Sequence, residues 1–236
     1  MHYVIGDIHN ELKKFDNILE QISIREDDQV YILGDLFDRG GTEADPVGVY
    51  FRFLEIQGNC TWIRGNHDHW LAEFIHQYYS LLERKRQYFV AYQYNSFELL
   101  RQRLTEVDIL KLADTILQLS LQKEIRLDGK KYLLAHAMTM HPLKQEKLTQ
   151  HYLTGTDAIG DFFKTGIGGY ISLLGHTSSS YMFGSQDGKF LDEKFNSIWI
   201  NRNENVFLID CGCGFTNGKL ACLCLETGER FYSQID

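Results

Sequence analysis

Proline is almost missing from this chain, with only Pro46 and Pro142 in 236 residues. No polyproline linker, glycine- or serine-rich tract or internal repeat divides it. Nor does any stretch approach the roughly 18 uninterrupted apolar residues that read as a membrane span. Basic side chains are the minority charge, 24 Lys plus Arg against 32 Asp plus Glu, for a net charge of −8. General binding to nucleic acid or to an anionic membrane depends on neutralising phosphates, so neither partner class is expected. One phosphate held in a local pocket stays open. Cysteines number five, an odd count that suits a reducing compartment better than a disulfide framework. GxSxG, Walker A and GxGxxG motifs are all missing, and the GIGG at 166–169 is too short to count.

The opening residues, Met1-His2-Tyr3-Val4-Ile5-Gly6-Asp7, lack the basic and apolar regions of a secretory signal and read as a strand. The expected compartment is the cytoplasm; oligomeric state is not legible. Hydrophobic residues make up 44% and charged residues 24%, as in an ordinary globular protein large enough for a core without staples.

What is present is a repeated pattern. Apolar runs at Tyr3–Ile5, Val30–Leu33 and Cys60–Ile63 end in Gly-Asp or Gly-Asn turns, and the first two lead into helical periods. Strands alternating with helices predict βαβ units and a mostly parallel sheet. Residues 69–121 are helical in character. Strand patterns follow, including a hairpin across Asp128-Gly129 and runs at Tyr170–Leu174, Ser197–Asn201, Asn205–Ile209, Lys219–Leu225 and Arg230–Tyr232. The expectation is an α/β protein with a second, partly antiparallel sheet, as one domain over 1–236.

Polar residues recur just after strand ends: Asp7 and His9 in GDIHN, Asp35, Asp38 and Arg39 in GDLFDRG, Asn66-His67-Asp68 in GNHD, His136 in LLAHA and His176 in LLGHT. In open α/β sheets these ends form the ligand crevice, so groups scattered in sequence converge. Any one alone reads as a turn Asp or a core His. Together, three His, two Asp and one Asn suit manganese, iron or zinc. They are also too many for one metal with open positions, and fit two metals about 3.5–4 Å apart sharing a carboxylate.

These motifs, with the tail IDCGCGFTNGKLACLCL, resemble the calcineurin-like metallophosphoesterases, closest to the phosphoprotein-phosphatase branch with its bacterial and phage Ser/Thr protein phosphatases and diadenosine tetraphosphatases. The likeness runs from Gly6 to about Leu225 and is weakest over the helical stretch 69–121. It implies a four-layer α/β/β/α sandwich of two mixed sheets flanked by helices. It implies that Asp7 and His9 bind a first metal, Asp35 bridges, and Asn66, His136 and His176 bind the second. Arg39 would clamp the phosphate, and His67 with Asp38 would form the general-acid pair. The expected cofactors are two divalent ions, manganese first, with iron or zinc as alternatives. The expected activity is phosphomonoester hydrolysis on phosphoserine or phosphothreonine. A dinucleoside polyphosphate hydrolase and a silent metal-binding interaction module are the alternatives.

Several positions depart from the pattern. Asn10 replaces a glycine, where it would cap a helix, and Asp68 stands for glutamate. Ser178 occupies a place where proline is frequent, and no arginine lies between 137 and 175, where a second phosphate-binding Arg is usual. Lys144, Lys147 or Lys164 are the candidate replacements. His69 reads as a first-turn helix histidine rather than a ligand. The aromatics Tyr78, Tyr79, Tyr88, Phe89, Tyr92, Tyr94 and Phe97 read as packing more than as a substrate groove. The C-x-C pairs Cys211/Cys213 and Cys222/Cys224 read as small core residues, each pair on one strand face, more than as a zinc site.

Overall fold

A computed structural model describes residues 1–89, 92–144, 148–192 and 196–234. In chain order, β1 (His2–Ile5), α1 (Leu12–Ile22), β2 (Gln29–Ile32), α2 (Pro46–Ile56) and β3 (Cys60–Trp62) alternate as the sequence predicts. Four helices follow: α3 (Asn66–Ser80), α4 (Glu83–Arg86), α5 (Ser96–Arg101) and α6 (Glu106–Gln118). The second half holds β4 (Gln122–Leu127), β5 (Lys130–Ala135), α7 (Thr149–Leu153), α8 (Ile159–Thr165), β6 (Ile171–Leu174), β7 (Gly188–Phe190), β8 (Trp199–Asn201), β9 (Val206–Leu208), β10 (Ala221–Cys224) and β11 (Arg230–Tyr232). The short elements α4, α7, α8 and β7 lack a period long enough to be read from sequence.

The first sheet has the order β11-β10-β1-β2-β3, with β1, β2 and β3 parallel. The second has the order β4-β5-β6-β9-β8-β7, with β5, β6 and β9 parallel. Strand alternation explains how they stack. Tyr3, Ile5, Val30 and Ile32 face one apolar cluster with residues of α1, α2, α3, α5 and α6. Val4, Tyr31 and Leu33 face the other way, meeting Tyr132, Leu134 and Leu173 of the second sheet. That sheet's far face, through Leu174, Trp199, Val206 and Leu208, packs on Phe162 and Phe163 of α8. The result is the expected four-layer α/β sandwich.

Local signals behave as their chemistry requires. The Asp45 carboxylate accepts from Gly48 N at 2.8 Å ahead of Pro46, capping α2. The hairpin turn is left-handed at both Asp128 (φ 49°) and Gly129 (φ 75°), as a tight two-residue loop demands. One expectation about cysteine needs correcting. Cys222 and Cys224 do share a face, but Cys213 joins the helical-side core while Cys211 joins the layer between sheets. Among the described residues, no cysteine belongs to a group able to hold a metal.

α1 is held by one buried face, and Phe15 on it is fully buried. Phe15→Ala is expected to cost about 3–5 kcal/mol, the usual price of emptying an aromatic core site, read from the urea midpoint. A loss below about 1 kcal/mol would place Phe15 outside the core.

Candidate metal centre

Five of the six parallel strands deliver the expected polar groups from their C-terminal ends. Asp7 and His9 follow β1, Asp35 follows β2, Asn66 opens α3 after β3, His136 follows β5 and His176 follows β6. Asp7, His9, Asp35, Asn66 and His136 are buried, and His176 is half-buried. The two sheets bring these ends together. Asp7, Asp35 and His136 each offer a ligand atom, and the three atoms lie within 4.8 Å of one another.

Hydrogen bonds aim the imidazoles. His9 Nδ1 lies 3.0 Å from the Phe37 carbonyl and His136 Nδ1 lies 2.7 Å from that of Leu33. Each bond places a proton on Nδ1 and leaves the Nε2 lone pair to the centre, the arrangement that orients metal-binding histidines. His9 Nε2 stands 3.8 Å from both Asp7 Oδ2 and Asp35 Oδ2. His136 Nε2 stands 3.3 Å from Asp35 Oδ2 and 2.8 Å from Asn66 Oδ1. Asn66 Oδ1 is also 2.8 Å from His176 Nδ1. Oxygen and nitrogen acceptors thus converge on a point with no donor at its middle unless an imidazole takes an extra proton. Turning the Asn66 amide over would let its nitrogen donate to both rings. With its oxygen inward, the donor set fits a divalent cation.

The electrostatics carry the same message. Burial and the neighbouring Asp210 carboxylate push Asp7 well up. Against the penalty of burial, the His136, His67 and His9 imidazoles hold Asp35 well below its ordinary value. Burial lowers His9 to about 3 and His176 to about 4, so both present lone pairs. Burial opposes protonation of His136 too, yet the Asp35 and Asp7 carboxylates raise it to about 10. A proton there stands in for the positive charge that this carboxylate cluster demands.

The backbone is bent to make this possible. His9 (φ 51°), Asn10 (63°), Asp35 (49°), Asp38 (66°), Arg39 (59°) and His176 (60°) are all left-handed, a conformation that persists only where the surroundings enforce it. Two glycines allow the close approach. A Cβ at Gly65 would sit 2.1 Å from Asp35 Oδ1, and one at Gly175 would sit 2.2 Å from Asp7 Oδ1. Asp68 ties the turn after β2 to α3. Its Oδ2 accepts from Asp35 N (2.9 Å), Gly65 N (3.0 Å) and Trp62 Nε1 (3.1 Å), and its Oδ1 from Leu36 N (2.9 Å). Asn10 does not cap α1, whose N-cap is Glu11. Its amide instead donates to Arg39 O and Ser96 Oγ.

Beside the cluster, His67 Nδ1 lies 3.1 Å from Asp38 Oδ2, and both residues are fully buried. The His67 backbone N–H donates to Asp35 Oδ1 at 2.9 Å, which locks this dyad to the metal-facing carboxylate. The Arg39 guanidinium lies 4.5 Å over the Phe215 ring, with Nη1 3.2 Å from His9 Nε2. All nine sequence-predicted residues therefore meet in one place.

Other expectations divide. His69 sits in the first turn of α3, its Nε2 3.5 Å from Glu73, as the simpler reading held. Lys164 does not approach the site. Its backbone carbonyl accepts from Asn201, and that of the adjacent Thr165 accepts from Asn205 at the start of β9, the end away from the centre. Lys144 is exposed beyond His141, whose ring packs on Tyr170 at the start of β6, again the far end. Lys147 lies outside the described residues. Of the aromatics, Tyr78, Phe89 and Phe97 pack together around Phe74, Tyr88 is exposed, and Tyr92 and Tyr94 turn to the site.

Asp210, just after β9, was missed by sequence reasoning. It is buried, raised to about 6 by burial, and accepts from Gly212 N at 2.7 Å. The signal existed: an apolar run ending in Asp, as at Asp7 and Asp35, but with the glycine after the acid instead of before it.

The family model for calcineurin-like phosphoesterases matches residues 3–207. No curated protein sequence matches the chain. Among solved structures, one provisionally described as a diadenosine tetraphosphatase superposes with TM-score 0.60 at 18% identity, covering 98% of this chain and 91% of its own. A protein serine/threonine phosphatase from Saccharomyces cerevisiae, with similarity to human phosphatase PP5, gives 0.61 at 10%, covering 100% and 80%. A metallophosphoesterase from Sphaerobacter thermophilus gives 0.55 at 14%, covering 100% and 88%. At such identities the likeness shows a shared fold.

Proposed function

Because this chain belongs to the calcineurin-like phosphoesterase family, and is a metal-dependent hydrolase of phosphoesters, we propose that it cleaves phosphomonoesters of alcohols, phosphoserine and phosphothreonine in proteins above all. The observation that carries this reading is the convergence of Asp35 Oδ2, Asn66 Oδ1, His136 Nε2 and His176 Nδ1, with an imidazole–carboxylate pair set beside them.

Asp7, His9 and Asp35 would hold one divalent cation, manganese first, and Asp35, Asn66, His136 and His176 the other. Two such ions supply Lewis acidity, meaning a more acidic water at neutral pH and neutralised charge on phosphoryl oxygens. The protein does the rest. Arg39, with its planar fork backed by Phe215, binds phosphate oxygens in pairs and favours the charge that builds on them. His67 donates the proton that the departing alkoxide needs, and Asp38 holds the ring in place.

This dyad also weighs on the substrate. A serine or threonine alkoxide is a poor leaving group and depends on an acid, whereas the phosphate released from a phosphoanhydride depends on one far less. The second reading, a dinucleoside polyphosphate hydrolase, rests on the structural likeness to the diadenosine tetraphosphatase. No helix among the described residues is long and apolar enough to cross a membrane. On the five cysteines we place the enzyme in a reducing compartment, the cytoplasm.

Metal analysis joined to a hydrolysis panel tests the proposal. The manganese-loaded enzyme is expected to hold two ions per chain and to turn over phosphoserine peptides faster than dinucleoside polyphosphates. The reverse ranking would install the second reading. No turnover of any phosphoester would leave a silent metal-binding module.

A further inference from the structure

The imidazole–carboxylate pair is gripped by a stretch of chain far from it in sequence, the residues that lead into α5. The Tyr92 hydroxyl donates to Asp38 Oδ2 at 2.6 Å, the same oxygen that lies 3.1 Å from His67 Nδ1. Asp38 N donates to Ser96 Oγ at 2.7 Å, and Ser96 N returns a bond to Asp38 Oδ1 at 3.3 Å. The Asn95 side-chain nitrogen donates to the Arg39 carbonyl at 2.7 Å. The Tyr94 ring meets His67 edge-on, with centroids 4.6 Å apart, and lies parallel to Trp70. One short segment thus reaches every member of the proposed acid and clamp machinery.

We infer that Tyr92 is a positioning residue for the hydrolytic step, fixing the Asp38 carboxylate so that its shared oxygen aims His67 at the leaving group. The inference rests on the reading of His67 as general acid. Asp38 Oδ2 takes two donors, and a carboxylate oxygen can accept both only if each holds its direction. Removing the phenol leaves that oxygen with one partner and the carboxylate held, besides His67, only by the long bond from Ser96 N at 3.3 Å. The hydroxyl is a permanent donor, because burial beside the Asp38 charge pushes its pKa upward. The effect is geometric: the bond fixes the carboxylate and, through it, the orientation of the ring.

The test is Tyr92→Phe, which keeps the ring and removes only the donor. With manganese-loaded enzyme, kcat on phenyl phosphate is expected to fall roughly tenfold, in line with one hydrogen bond to a charged group. KM should hold, and kcat on 4-nitrophenyl phosphate should change by less than about twofold, since that leaving group needs little proton donation. Equal losses on both esters, or no loss on either, would overturn the inference. A double-mutant cycle with Asp38→Asn gives a second measure. If Tyr92 acts through Asp38, the phenol's removal costs nothing further in the Asp38→Asn background, whereas additive losses would overturn it. His67→Asn, assayed on the same two esters, separates the two levels. If it shows no difference between the esters, the general-acid reading fails. If it shows the difference and Tyr92→Phe does not, only the role of Tyr92 fails.

Discussion

An Asp35→Asn enzyme is expected to lose hydrolysis by about a thousandfold or more and to bind fewer metal ions at once. That magnitude corresponds to the several kcal/mol that a Lewis-acid cation contributes to the transition state. The geometry makes Asp35 the pivot. Its Oδ2 stands 3.3 Å from His136 Nε2 and 3.8 Å from His9 Nε2, so one carboxylate oxygen faces both proposed cation positions. The substitution is also clean. Asparagine tolerates the left-handed backbone at this position (φ 49°), and its amide oxygen can still accept from His67 N, where Asp35 Oδ1 now accepts at 2.9 Å. Calorimetric metal titration and steady-state kinetics check both halves. Retention of two ions with parent-like turnover would overturn the bridging role.

His67→Asn is expected to separate metal binding from proton transfer. His67 contributes its backbone N–H to Asp35 and its Nδ1 to Asp38, which leaves Nε2 as the atom that meets a leaving group. Losing it should keep both ions and cut turnover of alkyl phosphates by roughly a hundredfold or more, the usual contribution of a general acid. On 4-nitrophenyl phosphate the loss should be much smaller. A common loss on both substrates would mean that His67 orders the site without donating a proton.

Much of this centre was readable because it is built from a repeated device. A parallel strand must end in a turn, the turn needs glycine, and the ends of parallel strands share one edge. Gly-Asp, Gly-Asn and Gly-His after apolar runs therefore marked Asp7, Asp35, Asn66 and His176, and the apolar run before Ala135 marked His136, although they span most of the chain. Spacing of about one βαβ unit between the first three motifs placed them side by side. Asp210 escaped because its strand breaks the device, with the glycine after the acid. Asn95 and Ser96 escaped, and Tyr92 read as packing, for a different reason: their bonds reach residues 54 to 58 positions away. The cysteine pair at 211 and 213 was misjudged because the strict alternation of a strand does not extend to an isolated bridge.

Local order alone, then, determined the alternation of strands and helices, the two-sided strands that let one sheet stack on another, and which polar groups stand at strand ends. Those properties follow from short-range sterics and from the burial of apolar faces, both written in neighbouring residues. Only the folded chain decided which acids touch, which imidazole nitrogen faces inward, and which loop braces the acid pair. Such contacts depend on how two separately formed sheets and a helical layer settle against each other, and packing of that kind has no sequence period.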